Sequence, residues 1–134
     1  MTNFNLETVS IKPASSKKPK QAVILCHGYG GSGEDISHLA MNWQRFLPDT
    51  IFLCPNAPEI CEINRTGFQW FDLSVGSEEA ILEKSLIAEE KLSIFLDEIL
   101  DNFNLQSNDL SLVGFSQGCM MVIQVGIKKI IKVN

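Results

Sequence analysis

Asn108-Asp109-Leu110-Ser111-Leu112-Val113-Gly114-Phe115-Ser116-Gln117-Gly118-Cys119-Met120-Met121-Val122 is the stretch that decides the fold. Its first half, NDLSLVGF, is a short apolar run suited to a strand buried on both faces. Its second half has helical spacing from Gln117 to about Lys129. Between them stands Gly114-Phe115-Ser116-Gln117-Gly118, a G-x-S-x-G. A strand-to-helix turn this tight forces its middle residue into strained geometry, and the flanking glycines let neighbouring chain approach. The serine then stands exposed above the sheet, and the N–H groups of the following helix point towards developing negative charge. Five-residue patterns recur by chance, and the competing reading is an ordinary strand–turn–helix with a serine N-cap. The strand before and the helix after favour the strained turn, which makes Ser116 the candidate nucleophile.

Working outward, the same alternation of apolar strand and helix repeats. QAVILC (21–26) is a second buried strand, and it runs into the glycine-rich HGYGGSGED. From Asp35 to Phe46 the pattern Ile36, Leu39, Ala40, Trp43, Phe46 and Leu47 has helical spacing, and Pro48 stops it. TIFLCP (50–55) is a third buried strand, and 56–76, containing RTGFQWFDL, reads as irregular. A long helix from about Glu78 to Phe103 carries the stripe Leu82, Leu86, Leu92, Phe95, Leu96, Ile99 and Phe103. At the start, FNLETVSI (4–11) alternates as a half-buried strand, and KPASSKKPK (12–20), with its lysines and prolines, is a solvated surface loop. Strands alternating with helices predict an α/β fold, a mostly parallel sheet with helices on both faces.

Composition bounds the function. The 134 residues fit a single domain over 1–134 with a real core. Eleven Lys and Arg against sixteen Asp and Glu leave a net charge of −5, which argues against nucleic acid as a partner. No run of about 18 apolar residues is present, so no membrane span is expected. The first residues are polar where a secretory signal would place its apolar core. Four scattered cysteines then read as free thiols in a reduced, cytoplasmic setting. No metal is expected, because His27 and His38 stand at no ligand spacing to a cysteine pair.

The second chemical signal is His27-Gly28-Tyr29-Gly30-Gly31, at the end of the 21–26 strand. Such a loop can aim a backbone N–H at the oxyanion that the N–H of Gln117 also faces, and Tyr29 is the candidate for this second donor. A rival is the dinucleotide fingerprint Gly28-x-Gly30-x-x-Gly33. That fingerprint needs an acid about 20 positions on, where this chain has Leu53-Cys54-Pro55-Asn56. His27 adjoins the glycine turn, so bracing the loop fits it better than acting as a base. His38 reads as a surface or partly buried helix residue. The aromatic group Phe68, Trp70 and Phe71, with Asp72, suits an acyl-pocket wall and core packing equally.

HGYGGSGEDI, CPNAP, QWFDL and LVGFSQGCMM, in this order and at these separations, resemble the phospholipase/carboxylesterase family of α/β hydrolases, which includes acyl-protein thioesterase-like serine esterases. The likeness runs from about Gln21 to about Lys129. It implies that Ser116 is the nucleophile, that the N–H groups of Tyr29 and Gln117 form the oxyanion hole, and that carboxylic esters or thioesters are hydrolysed through an acyl-enzyme with no cofactor. Cys119 replaces the second glycine usual in that family after GFSQG. In this fold the partners follow the nucleophile in the order Ser, then Asp or Glu, then His. After Ser116 this sequence reads QGCMMVIQVGIKKIIKVN, with no Asp, Glu or His. NDLSLVGF would also be left as an edge strand, a template for pairing with another chain. Three expectations follow: a truncated hydrolase nearly inactive alone, one half of a split esterase completed by a C-terminal polypeptide, or a non-catalytic binding module. Self-association through the bare edge is a further expectation.

Overall fold

The computed structural model describes residues 3–74 and 76–132. Four strands form the main sheet: β1 (Thr8–Ile11), β2 (Gln21–Cys26), β3 (Thr50–Pro55) and β6 (Leu110–Gly114), in the spatial order β1-β3-β2-β6. β2 pairs parallel with both β3 and β6, and β1 runs antiparallel along β3. Three helices cover the sheet: α1 (Gly33–Trp43), α2 (Glu78–Phe103) and α3 (Gln117–Lys132). The predicted α/β architecture is therefore present, with β6 at one edge among the described residues.

Alternation along the strands separates two cores. Ala22, Ile24 and Cys26 of β2, with Ile51 and Leu53 of β3, pack against Leu92, Phe95, Leu96 and Ile99 of α2 and Met121 and Val125 of α3. Their sequence neighbours Val23, Leu25, Phe52 and Cys54 turn to the other face, against Ile36 and Ala40 of α1. Both faces of β2 and β3 are thus buried, which explains why these strands read as continuous apolar runs and not as alternating ones. Ser32 and Ser77 cap α1 and α2, each accepting the N–H three residues on at 3.1 Å.

Several details depart from the expectations. Only the second half of 4–11 is strand. Phe4 instead packs edge-on against Phe95, Leu6 is buried in the core, and Asn5 donates to the Lys91 carbonyl on α2, so packing against the helix wins over extending the sheet. Residues 56–76 are not wholly irregular, since Glu59–Ile60 (β4) and Phe68–Gln69 (β5) form a small antiparallel hairpin. α1 begins two residues before Asp35 and gives way to a 3₁₀ turn at Gln44–Phe46. Phe46 is exposed there, its ring 4.7 Å from the Arg45 guanidinium. The first turns of α2 bury Ser85 and Ala88 and leave Leu82 and Leu86 exposed, because the helix is longer than the sheet that it covers.

All four cysteines are free, and three are buried. Burial pushes the Cys26 thiol well above its ordinary range and that of Cys54 up to about 12. Only Cys119 is exposed. A disulfide-exchange reagent at pH 8 is therefore expected to modify one thiol of the native chain quickly and all four only after denaturation. Two fast thiols would contradict the burial described here.

Candidate active site

Ser116 adopts a left-handed backbone, φ 54°, between the end of β6 and the start of α3. For a non-glycine residue this conformation is uncommon, and it is sustained only where the surroundings over-determine it. Here they do. A Cβ on Gly114 would lie 2.5 Å from the Cys119 Cα, and one on Gly118 would overlap the carbonyl oxygen of Cys26 and come 2.5 Å from that of His27. The Ser116 carbonyl accepts the N–H of Cys119 at 2.9 Å and opens the helix. An N-cap serine has extended backbone and accepts through its side-chain oxygen. Ser116 has neither property, so the N-cap alternative does not describe it, and the residue is exposed.

The 27–31 loop lies directly against this turn. A Cβ on Gly28 would stand 3.1 Å from the Ser116 Cβ and from the Phe115 ring, so glycine is what permits the approach. Gly30 has φ 83° and exchanges backbone bonds with β5: its N–H donates to the Phe68 carbonyl, and the Phe68 N–H donates to Gly31, both at 2.8 Å. Asn64 Nδ2 also donates to the Gly30 carbonyl at 2.8 Å. The N–H groups of Gly30, Gly31, Gly118 and Cys119 are all taken up within the chain. Among the described residues, those of Tyr29 and Gln117 have no acceptor.

His27 is buried, and both its ring nitrogens are engaged. Nε2 accepts the Ala57 N–H at 2.9 Å, so the proton sits on Nδ1, which faces the Gly28 carbonyl at 2.7 Å. Burial pushes its pKa below 6.5, outweighing the Gly28 hydrogen bond and the Asp35 charge that raise it. With its lone pair occupied, the ring braces the loop. The charge linkage gives a signed expectation. The unfolded chain binds a proton near pH 6.5 that the native chain refuses, so stability is full above this pH and falls as pH drops below it. In the wild type the urea midpoint should decline between pH 7 and pH 5, and His27→Gln should lose that part of the slope. An unchanged slope in the variant would contradict the neutral, braced ring.

A polar network missed by sequence reading ties the two loops together. The Gln117 side chain is buried; its Oε1 accepts the Trp70 N–H at 2.9 Å and its Nε2 donates to the Phe71 carbonyl at 2.8 Å. The Trp70 indole N–H donates to the His27 carbonyl at 2.9 Å. Trp70 and Phe71 belong to the core, which decides between the two readings of the aromatic group. Asp72 accepts from the Ser74 hydroxyl and N–H at 2.7 and 2.8 Å, and these bonds hold its carboxyl below the usual range. His38 is exposed on α1. Beside the turn lies a cleft of about 310 Å³, lined by Gly28, Tyr29, Ile36, Leu39 and Phe115. Among the described residues no cluster of His, Cys, Asp and Glu could hold a metal ion, and no helix is long and apolar enough to cross a membrane.

Residues 7–133 match the family model for phospholipase/carboxylesterase. This chain belongs to the phospholipase/carboxylesterase family. Acyl-protein thioesterase 1 of Candida albicans is 33% identical over 115 residues, 79% of this chain and 50% of the relative. The Schizosaccharomyces pombe protein of the same name is 28% identical over 91% of this chain and 55% of its own length. Among solved structures, esterase PE8 superposes with a TM-score of 0.83 at 37% identity, covering 90% of this chain and 57% of that one. A carboxylesterase from Mesorhizobium loti, at 20% identity and a TM-score of 0.68, shares the fold. The chain thus spans about half the length of the curated relatives that it matches.

Proposed function

We propose that this phospholipase/carboxylesterase-family chain carries the nucleophile and oxyanion half of a serine hydrolase acting on carboxylic esters or thioesters. The observation that carries the reading is Ser116, exposed at φ 54° beside two backbone N–H groups, of Tyr29 and Gln117, that no described residue accepts. In the proposed reaction Ser116 Oγ attacks the acyl carbonyl carbon, and its proton passes to a general base. The carbonyl oxygen gains the negative charge and is held by the two N–H groups. Collapse of the adduct breaks the bond to the leaving alcohol or thiol, which takes up the proton, and leaves an acyl-serine. Water then releases the acid by the same steps in reverse order.

Among the described residues, neither His27 nor Asp72 is placed to act as that base. His27 has no free lone pair, and Asp72 is turned to Ser74. Alone, the chain is therefore proposed to be nearly inactive, with acceleration limited to about 10³–10⁴-fold over water from the oxyanion donors. Its four unpaired thiols favour a reducing compartment such as the cytoplasm.

The test is incubation with a fluorophosphonate probe and a short acyl ester, with Ser116→Ala in parallel. Slow labelling confined to Ser116, with hydrolysis barely above background, is expected. Equal labelling of the Ser116→Ala chain would remove the nucleophile assignment. Rapid stoichiometric labelling and turnover by the chain alone would overturn the half-site reading.

A further inference from the structure

The end of the sheet remote from Ser116 concentrates positive charge on an acidic chain. Residues 12–20 hold Lys12, Lys17, Lys18 and Lys20 and no acid. Residues 44–49 add Arg45 and a single acid, Asp49, whose carboxylate lies 3.8 Å from Lys20 Nζ. Hydrogen bonds fasten the two segments together. Gln44 Nε2 donates to the Lys12 carbonyl at 2.7 Å, and the N–H groups of Ser15 and Lys20 donate to the carbonyls of Pro48 and Asp49, both at 2.9 Å. Within the loop Pro13 is buried, and Ser16 holds a left-handed φ of 60° with its N–H on the Pro13 carbonyl. The four lysines are exposed on a backbone held in one shape. Such a loop loses less freedom on meeting a partner than a flexible basic tract would.

Charge alone fits many acidic partners, and the apolar neighbours narrow the choice. Phe46 is 68% exposed and Leu47 37%, in the turn that the loop grips at Gln44 and Pro48. The Arg45 guanidinium stands over the Phe46 ring, so a cation and an exposed aromatic are presented side by side. A bilayer interface accepts both at once, the ring among the headgroups and upper acyl chains and the lysines on anionic headgroups. Acids of this chain that lie more than a Debye length away, about 8–10 Å at physiological salt, are screened and subtract little.

We infer that the 12–20 loop and the 44–47 turn form a docking surface for anionic lipid bilayers, with the lysines on the headgroups and Phe46 in the interface. The sheet sets the orientation. Lys20 and Asp49 immediately precede β2 and β3, whereas Ser116 follows β6, and β2 runs parallel to both β3 and β6. The six residues of β2 put about 20 Å between the two ends. Docking therefore turns the serine away from the bilayer. The surface is a tether, and it does not depend on the hydrolase reading.

The test is flotation of the full chain with vesicles of phosphatidylcholine alone, or with about one third phosphatidylserine, at about 0.1 M and about 0.5 M salt. Free chain and aggregate stay at the bottom of the gradient, so only docked chain floats. Flotation is expected with the mixed vesicles alone and is lost at the higher salt. Joint Lys17→Gln and Lys18→Gln should weaken binding by about 25-fold, roughly fivefold for each lysine. Phe46→Ser should weaken it by about tenfold. These side chains are exposed, so the urea midpoint should stay unchanged in both variants. Ser116→Ala should float as the wild type does, which keeps the tether separate from any result on the nucleophile. Failure to float, equal flotation with phosphatidylcholine alone, or undiminished flotation of the lysine variant or of Phe46→Ser would overturn the inference. Salt-sensitive binding of polyglutamate as tight as that of the mixed vesicles would also overturn it, by assigning the surface to an acidic polypeptide.

Discussion

Gly118→Ala is expected to destabilise the chain by about 3 kcal/mol or more, at the upper end of what overpacking costs. The added Cβ overlaps the Cys26 carbonyl and lies 2.5 Å from that of His27. Both obstacles are backbone at the end of β2, which is paired on both sides, so neither can move aside cheaply. A side chain in the way could rotate; this strand would have to shift, and Ser116 with it. Gly126 gives the opposite sign within the same helix. A Cβ there meets only the Leu112 Cδ1 at 3.8 Å, an ordinary contact, so Gly126→Ala should stabilise by about 0.5–1 kcal/mol through helix propensity. Urea midpoints at constant m decide both. A loss below about 1 kcal/mol for Gly118→Ala would mean that the turn is looser than described.

Gln117→Met is expected to cost about 2–5 kcal/mol, because it keeps the bulk and removes both hydrogen bonds. The Trp70 N–H and Phe71 carbonyl would then be buried without partners, at about 1–3 kcal/mol each. Gln117→Glu should fall between the two. It retains an acceptor for Trp70 but offers Phe71 no donor, and below neutral pH, where the buried carboxyl takes up a proton, the donor returns. The damage should also be local. Amide exchange at Trp70 should accelerate in Gln117→Met more than exchange at the centre of β2. Uniform acceleration across the sheet would show that the side chain acts on global stability alone and does not hold the 70–71 segment.

The strands QAVILC, TIFLCP and LSLVG were legible because they are buried on both faces, which leaves continuous apolar runs between polar turns. The long helix was legible from its stripe, although Leu82 and Leu86 belong to that stripe and face solvent. Periodicity records which residues could share a face, and the extent of the sheet beneath decides how many are covered. The hairpin at Glu59–Ile60 and Phe68–Gln69 had no local signal, because strands of two residues draw their pairing from the glycine loop that they clamp. In the candidate site, Gly28, Gly114, Ser116 and Gly118 stood out because strained or crowded backbone demands particular residue types. The Gln117 side chain did not, since no local pattern announces a glutamine that reaches segment 70–71 from the other end of the chain.

The sequence by itself determined the α/β class and the strained serine turn, since each follows from residue type and order along the chain. Tertiary structure decided the roles that depend on distance between remote segments. It made His27 a brace by occupying both ring nitrogens, assigned the aromatic group to the core, and joined Gln117 to Trp70 and Phe71. Burial and hydrogen-bond partnership are properties of three-dimensional neighbours, which one-dimensional order does not contain.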